Sequence, residues 1–329
     1  MKILTYNKAS RKHIITMVLG ITTLVLLMLV SIASAVQSTN VWVHKGSELM
    51  SSEKYNDAIK AYDKAIEINP QDSDAWTNKG NALTDLNKSD EAIKAYEKAI
   101  GINPDNSIAW TNKGNALTNL NKSDEAIKAY DQALEIDPNN SDAWTNKGNA
   151  LINLNKSDEA IEAYDHALEI NPNNSDAWTN KGLTLTTSGK YNEAIKACYK
   201  AIEINPNNSI AWNNKGNALS SLGKYDEAIK AYDKAIETNP RNLMAWTNKG
   251  LILTFLGKYN EAIKACDKAI EIDPDNSIAW TNKGNALTNL NKSNEAIKAY
   301  DKAIEINPQN SAAWYNKAVT LNRLSKSNL

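Results

Sequence analysis

From residue 39 onward, apolar residues recur at helical spacing in segments that come in pairs. In the stretch 141–174, "SDAWTNKGNALINLNKSDEAIEAYDHALEINPNN", Trp144, Gly148, Leu151 and Leu154 lie four, three and three residues apart. That spacing marks one face of a helix. Ala160, Ile161, Tyr164, Ala167, Leu168 and Ile170 mark the face of a second. Between them stands Asn155, at a place filled elsewhere by Gly189, Gly223 or Gly257; both residue types accept the left-handed backbone that ends a helix. Ser157, Asp158 and Glu159 read as an N-cap and an acidic first turn, and Pro172 closes the second helix. The stretch is predicted to be two helices joined by a tight turn. Gly148 and Ala160 are small enough for the helices to approach closely, with Trp144, Tyr164 and the Leu and Ile positions filling the space around that contact. One such hairpin cannot bury its own apolar face, but a copy stacked on it can.

The copies are present. All nine Trp fall on one grid of period 34, at 42, 76, 110, 144, 178, 212, 246, 280 and 314. All eight Pro share that period, at 70, 104, 138, 172, 206, 240, 274 and 308. "AWTNKGNAL" recurs unchanged at 75–83, 109–117, 143–151 and 279–287. A chain of 329 residues suggests about two globular domains, but an array grows in one dimension and needs no larger core.

This combination of Trp, Gly four residues on, Ala-x3-Tyr-x2-Ala and Pro at period 34 resembles the tetratricopeptide repeat. The resemblance implies an all-α fold, a right-handed superhelix (an α-solenoid) of helix-turn-helix repeats. It covers residues 39–310 as eight full repeats. Residues 311–329 resemble the first helix of a ninth, the usual capping element. There Ala318 replaces Gly, and Arg323, Lys326 and Ser327 give the polar surface an exposed end needs. One departure is systematic. Where the family has an apolar residue just before the Gly, this chain has Lys45, Lys79, Lys113, Lys147, Lys181, Lys215, Lys249, Lys283 and Lys317. Each is expected to pack its stem on apolar neighbours, with the ammonium in water or paired with acids of the next helix. The competing reading is a ladder of cations for an anionic ligand.

The N-terminal residues lie outside this pattern. Residues 1–13 form a basic tail, expected to be cytoplasmic. From Ile14 to Val36 there is no charge, and at about 1.5 Å per residue this could span a bilayer core of about 30 Å. Residues 14–36 are expected to be a signal anchor, or a signal peptide cleaved after the small-x-small site Ala33-Ser34-Ala35. The length of the apolar run Ile14–Val30 favours the anchor. Four basic residues precede the segment and the first charge after it is Lys45. The positive-inside rule then puts the repeats on the extracytoplasmic side of a single-pass membrane protein, or secretes them after cleavage near Ala35.

Composition narrows the function. The net charge is −1, and residues 1–35 hold four cations and no acid, so the remainder carries −5. A mildly acidic body lacks the basic footprint of a nucleic-acid binder. His13, His44 and His166 are scattered, no metal spacing occurs, and no catalytic constellation is present. The expectation is a non-enzyme without cofactor or small-molecule substrate. Cys198 and Cys266 stand where other repeats have Tyr164 or Tyr232. Two repeats apart, they are expected to lie beyond disulfide reach and to act as buried apolar fillers.

In the family's superhelix the first helices line a concave face where side chains need not pack. Here they carry Asn78, Asn112, Asn146, Asn180, Asn214, Asn248, Asn282 and Asn316, with His44 in the first repeat. Three residues on come Asn81, Asn115, Asn149, Asn217 and Asn285; Leu183 and Leu251 interrupt this second row. Thr77, Thr111, Thr145, Thr179, Thr247 and Thr281 precede the first. An amide offers both donor and acceptor, and so pairs with a peptide backbone without reading side chains. From Asn78 to Asn316 the first row is similar to the asparagine ladder with which the tetratricopeptide superhelix of O-linked N-acetylglucosamine transferases holds extended peptide. The resemblance implies an extended, sequence-tolerant polypeptide ligand; the alternative is that the amides bond between repeats. The family's carboxylate clamp is not expected, because Thr and Asn stand in place of its Lys and Arg.

Asn87, Asn121, Asn139, Asn155, Asn173, Asn207 and Asn291 open Asn-x-Ser sequons in predicted turns. They are candidates for N-glycosylation in a host that performs it, although Asn suits such turns by itself. The function expected is that of a non-catalytic protein-interaction scaffold. The alternatives are an accessory subunit of an envelope or glycosyl-transfer enzyme complex, or a structural spacer.

Overall fold

The turn signals place the helices. In the computed structural model, backbone is described for residues 8–327 and side chains for 16–29 and 38–326. α1 (Lys8–Ser51) and α2 (Tyr55–Ile68) form the first hairpin. α3 (Ser73–Asp85) follows with α4 (Ser89–Ile102), then α5 (Ser107–Asn119) with α6 (Ser123–Ile136), then α7 (Ser141–Asn153). The chain divides into two compact units between Ala150 and Leu151, within α7. The second unit holds α8 (Ser157–Ile170), α9 (Ser175–Thr187), α10 (Tyr191–Ile204), α11 (Ser209–Ser221) and α12 (Tyr225–Thr238). It continues with α13 (Leu243–Phe255), α14 (Tyr259–Ile272), α15 (Ser277–Asn289), α16 (Ser293–Ile306) and α17 (Ser311–Ser327).

The expected left-handed residues turn the hairpins: Asn87, Asn121, Asn155 and Asn291 at φ between 57° and 60°, Gly189, Gly223 and Gly257 between 74° and 76°. The expected N-cap is corrected. α8 is preceded by Lys156, whose side chain caps nothing, and Ser157 is already helical. The tight turn leaves a single residue between Asn155 and the helix. The side-chain caps open the first helices instead. Asp72, Asn106, Asn174, Asn208, Asn242 and Asn276 each accept the backbone N–H three residues on.

Among the described residues of each unit, helices pack on near neighbours: α5 touches α6, α4 and α3. Within a hairpin the Gly of the first helix meets the Tyr of the second. A Cβ on Gly80 would lie 2.4 Å from Cε1 of Tyr96, and one on Gly114 2.5 Å from Cε1 of Tyr130. The glycine thus leaves a notch for the ring, and both tyrosines are 1% exposed. Ala92, Ala95 and Ala99 add a flat, fully packed strip beside it. The tryptophans are less buried than the pattern implied: all are half-buried except Trp314, which is exposed. They sit at the seam between hairpins, where each Nε1 from Trp76 to Trp314 donates to the carbonyl of the Pro six residues earlier at 2.9–3.2 Å.

Two terminal expectations meet the structure differently. The first repeat does not begin a new helix at residue 39. Its first helix is the end of α1, a 44-residue helix, because neither Pro nor Gly stands between Gly20 and Gly46. Among the described residues no helix is long and apolar enough to cross a membrane. The expected span 14–36 is therefore not supported there; the side chains of 14–15 and 30–36 lie outside the described residues, and those of 16–29 are exposed. At the other end α17 carries Arg323 and Lys326, but it also exposes Trp314, Tyr315 and Leu321.

Candidate functional site

The two asparagine rows meet between repeats. Nδ2 of Asn112 donates to Oδ1 of Asn81 at 2.8 Å, and Asn146 to Asn115 at 2.9 Å. Asn248 donates in the same way to Asn217 at 2.9 Å, and Asn316 to Asn285 at 2.8 Å. Each accepting oxygen also takes a tyrosine hydroxyl: Tyr96 to Asn81 at 2.9 Å, Tyr130 to Asn115 at 2.8 Å, Tyr232 to Asn217 and Tyr300 to Asn285 at 2.9 Å. Burial pushes the hydroxyls of Tyr96 and Tyr130 up to about 12, and those of Tyr164, Tyr232 and Tyr300 upward. They are therefore donors at neutral pH. Asn149 and Asn180 also have partners within the chain, and Asn78 is half-buried.

One side of each amide is thus committed. The other is neither paired nor fully buried. Among the described residues, Oδ1 of Asn112, Asn146, Asn248 and Asn316 makes no hydrogen bond in the chain. The same holds for Nδ2 of Asn81, Asn115, Asn217 and Asn285, and none of these atoms is buried. Each pair presents one acceptor and one donor to solvent.

The interruptions have a physical cause. In the two repeats that carry Leu183 and Leu251, the core tyrosine is Cys198 or Cys266. A Cβ on Gly182 or Gly250 would lie 2.6 Å from the Sγ, so the thiol occupies the ring's notch. No hydroxyl then reaches the second row, and an apolar residue stands there. The next asparagine loses its acceptor. Nδ2 of Asn214 is buried without a partner, and Nδ2 of Asn282 turns to the carbonyl of Thr247 at 3.4 Å. Both cysteines are free and 0% exposed, and burial raises their thiols to about 12. They fill space, as expected.

The threonine column does not face a ligand. Thr77, Thr111, Thr145, Thr179, Thr247 and Thr281 are buried. The hydroxyl of Thr77 donates to the carbonyl of Ser73 at 2.8 Å and accepts Nδ2 of Asn106 at 3.2 Å. Asn208 and Asn310 bond Thr179 and Thr281 at 2.9 Å. Sequence reasoning passed over these asparagines. Their signal was an Asn or Asp at one grid position before nearly every first helix.

Most of the lysine column is paired within the chain. Where a lysine of this column is paired, its acid comes from the second helix of the preceding repeat, and not from the next helix. Lys79 meets Asp63 at 2.6 Å, Lys113 meets Glu97 at 2.9 Å, and Lys249 meets Asp233 at 2.6 Å. Each Nζ also lies over the Trp of its own repeat, 5.0–5.8 Å from the ring centroid. Lys215 has no such acid because Tyr199 stands there, and its Nζ lies 5.8 Å from that ring.

The sequon asparagines Asn87, Asn121, Asn139, Asn155, Asn173, Asn207 and Asn291 are all exposed. His44 lies 3.5 Å from Glu48 and His166 3.6 Å from Glu169. Among the described residues no group of His, Cys, Asp or Glu could hold a metal ion.

A model of the tetratricopeptide repeat matches residues 73–106, 107–140, 141–174, 175–208, 209–242, 244–276 and 277–310, and related repeat models match 46–83 and 299–329. No curated protein matches the chain. Among solved structures, YrrB, described as a TPR protein with an unusual peptide-binding site, is 27% identical, with a TM-score of 0.49 over 57% of this chain and 96% of its own. The Cut9–Hcn1 hetero-tetramer of APC/C is 18% identical, with a TM-score of 0.63 over 86% of this chain and 56% of that one. A tetratricopeptide repeat protein from Parabacteroides merdae is 19% identical, with a TM-score of 0.60 over 76% of this chain and 99% of that one. The last two share the fold, an all-α helical repeat solenoid. With the repeat model matching repeat after repeat from 73 to 310, the chain belongs to the tetratricopeptide repeat family.

Proposed function

We propose that the face formed by the first helices binds an extended polypeptide through its backbone, and that the protein is a non-catalytic interaction scaffold. Membership of the family supports a protein or peptide partner. The observation that carries the finer reading is the outward acceptor and donor of each amide pair. Oδ1 of Asn112 can accept a peptide N–H while Nδ2 of Asn81 donates to a peptide carbonyl, and the same pair recurs at Asn115 with Asn146, Asn217 with Asn248, and Asn285 with Asn316. Backbone recognition of this kind is sequence-tolerant. The lysines do not contribute, since most are paired and all are stacked.

A random library of 12-residue peptides, panned on the full chain in mild detergent, tests this. A photo-crosslinking residue at position 115 or 217 should capture the recovered peptides, and one at the exposed second-helix positions Lys128 or Lys230 should not. Capture from the second helices alone, or recovery of no peptide, would sink the reading.

The repeats are further proposed to stand outside the membrane, tethered or released by residues 14–36. Its support is sequence alone: a basic tail followed by an uncharged run from Ile14 to Val36. Protease added to intact cells should digest the repeats; protection would contradict the placement.

A further inference from the structure

The second interruption of the amide row is also where the face opens. A cavity of about 390 Å³ lies among α13, α15 and α17. One wall is apolar and includes Leu251 and Phe255. Phe255 is the only Phe of the chain, and it stands where α5, α7 and α15 end in Asn119, Asn153 and Asn289. It is 67% exposed yet held in place: the ring of Tyr225 stacks on it, with centroids 6.2 Å apart and planes 9° from parallel. Exposed aromatic surface is unfavourable in water, and a docked apolar group reverses that. The cavity also holds one of the outward amide pairs, Asn285 with Asn316, and the guanidinium of Arg323, its one charged lining group. Among the described residues no acid pairs with Arg323. Arg323 also borders an adjoining hollow with Lys292 and Glu295, but Glu295 is paired with Lys292 at 3.4 Å.

We infer that this cavity is the anchoring subsite for the polypeptide, and that it takes an apolar side chain next to a carboxylate. The apolar group packs on Leu251 and Phe255. The carboxylate meets Arg323, whose planar fork suits it bidentately. The peptide unit between them lies on the amides of Asn285 and Asn316. This rests on the peptide-binding reading and adds a sequence preference to a backbone grip that has none.

The peptides recovered from the 12-residue library on the full chain are sequenced and retested by fluorescence anisotropy. They should be enriched in adjacent apolar and acidic residues. Arg323→Gln should weaken them at least about tenfold, the loss of one charge-assisted hydrogen bond. Replacing the peptide's acid by its amide should weaken binding to the unmodified chain by a similar factor, and have little further effect on R323Q. Phe255→Asn, which installs the residue of α15, should also weaken binding. Both side chains are exposed, so melting curves of both variants should match the parent's. Peptides without the pair, or equal affinity for R323Q, would overturn the inference and leave the backbone reading intact. Recovery of no peptide would overturn both.

Discussion

Tyr96 donates its hydroxyl to Oδ1 of Asn81 at 2.9 Å, and the same oxygen accepts Nδ2 of Asn112 from the next repeat at 2.8 Å. The ring that fills the core notch at Gly80 therefore also aims the surface amide. Core and face are linked through one atom.

That link predicts coupling. Tyr96→Phe removes a neutral hydrogen bond and should cost about 1 kcal/mol. Tyr96→Cys and Asn81→Leu are the residues found together at Cys198 with Leu183 and at Cys266 with Leu251. Made together in the Tyr96 repeat, they should cost less than the sum of the singles by roughly 1 kcal/mol. Urea unfolding followed by circular dichroism measures this; strict additivity would break the link.

Alkaline pH should unfold the chain. The thiols of Cys198 and Cys266 rise from 9.0 to about 12, and the hydroxyls of Tyr96 and Tyr130 from 10.0 to about 12, all through burial. Between those values the unfolded chain has released protons that the folded chain keeps. Stability is therefore full below about pH 9 and falls as pH rises towards 12. The urea midpoint should drop steadily across that window, and a flat profile to pH 11 would contradict the burial of these groups.

The cysteines should be inert while the protein is folded. At pH 8 a thiol-specific chromogenic disulfide should modify neither Cys198 nor Cys266 in the native chain, and both in urea. Rapid modification of the native chain would place them nearer the surface than 0% exposure.

Trp178 is half-buried, although its indole N–H bonds the Pro172 carbonyl at 3.0 Å and its ring carries Lys181 at 5.4 Å. Trp178→Ala should then fall below the ~3–5 kcal/mol of a fully buried ring, near ~2 kcal/mol. A larger loss in urea unfolding would mean that the seam carries more of the stacking energy than its exposure implies.

Much of this was legible in the sequence because it is local. Period, hairpins and left-handed turn residues follow from spacing and from Asn155 or Gly189 at one place. What crosses between hairpins was not legible. Asn81 and Asn112 belong to successive repeats, and whether they face each other or solvent depends on side-chain direction. Lys113 finds Glu97 of the helix before it, although acids of the next helix are closer in sequence. Ser157 was misplaced by one residue because the turn is shorter than an N-cap requires. Leu183 and Cys198 were visible as separate departures, and only the hydroxyl that joins their counterparts explains why they occur together.

The most direct measurement of the central claim uses the full chain with Asn81→Asp, Asn115→Asp, Asn217→Asp and Asn285→Asp. Aspartate keeps the oxygen that accepts from Tyr and from the neighbouring Asn, and replaces the outward N–H donor by an acceptor. Fluorescence anisotropy with the library peptides, at physiological salt or above to screen the added charge, should show at least about a hundredfold loss of affinity. The thermal midpoint should stay within about 5 °C. Unchanged affinity in a variant that is still folded would show that the amide rows serve the stack alone.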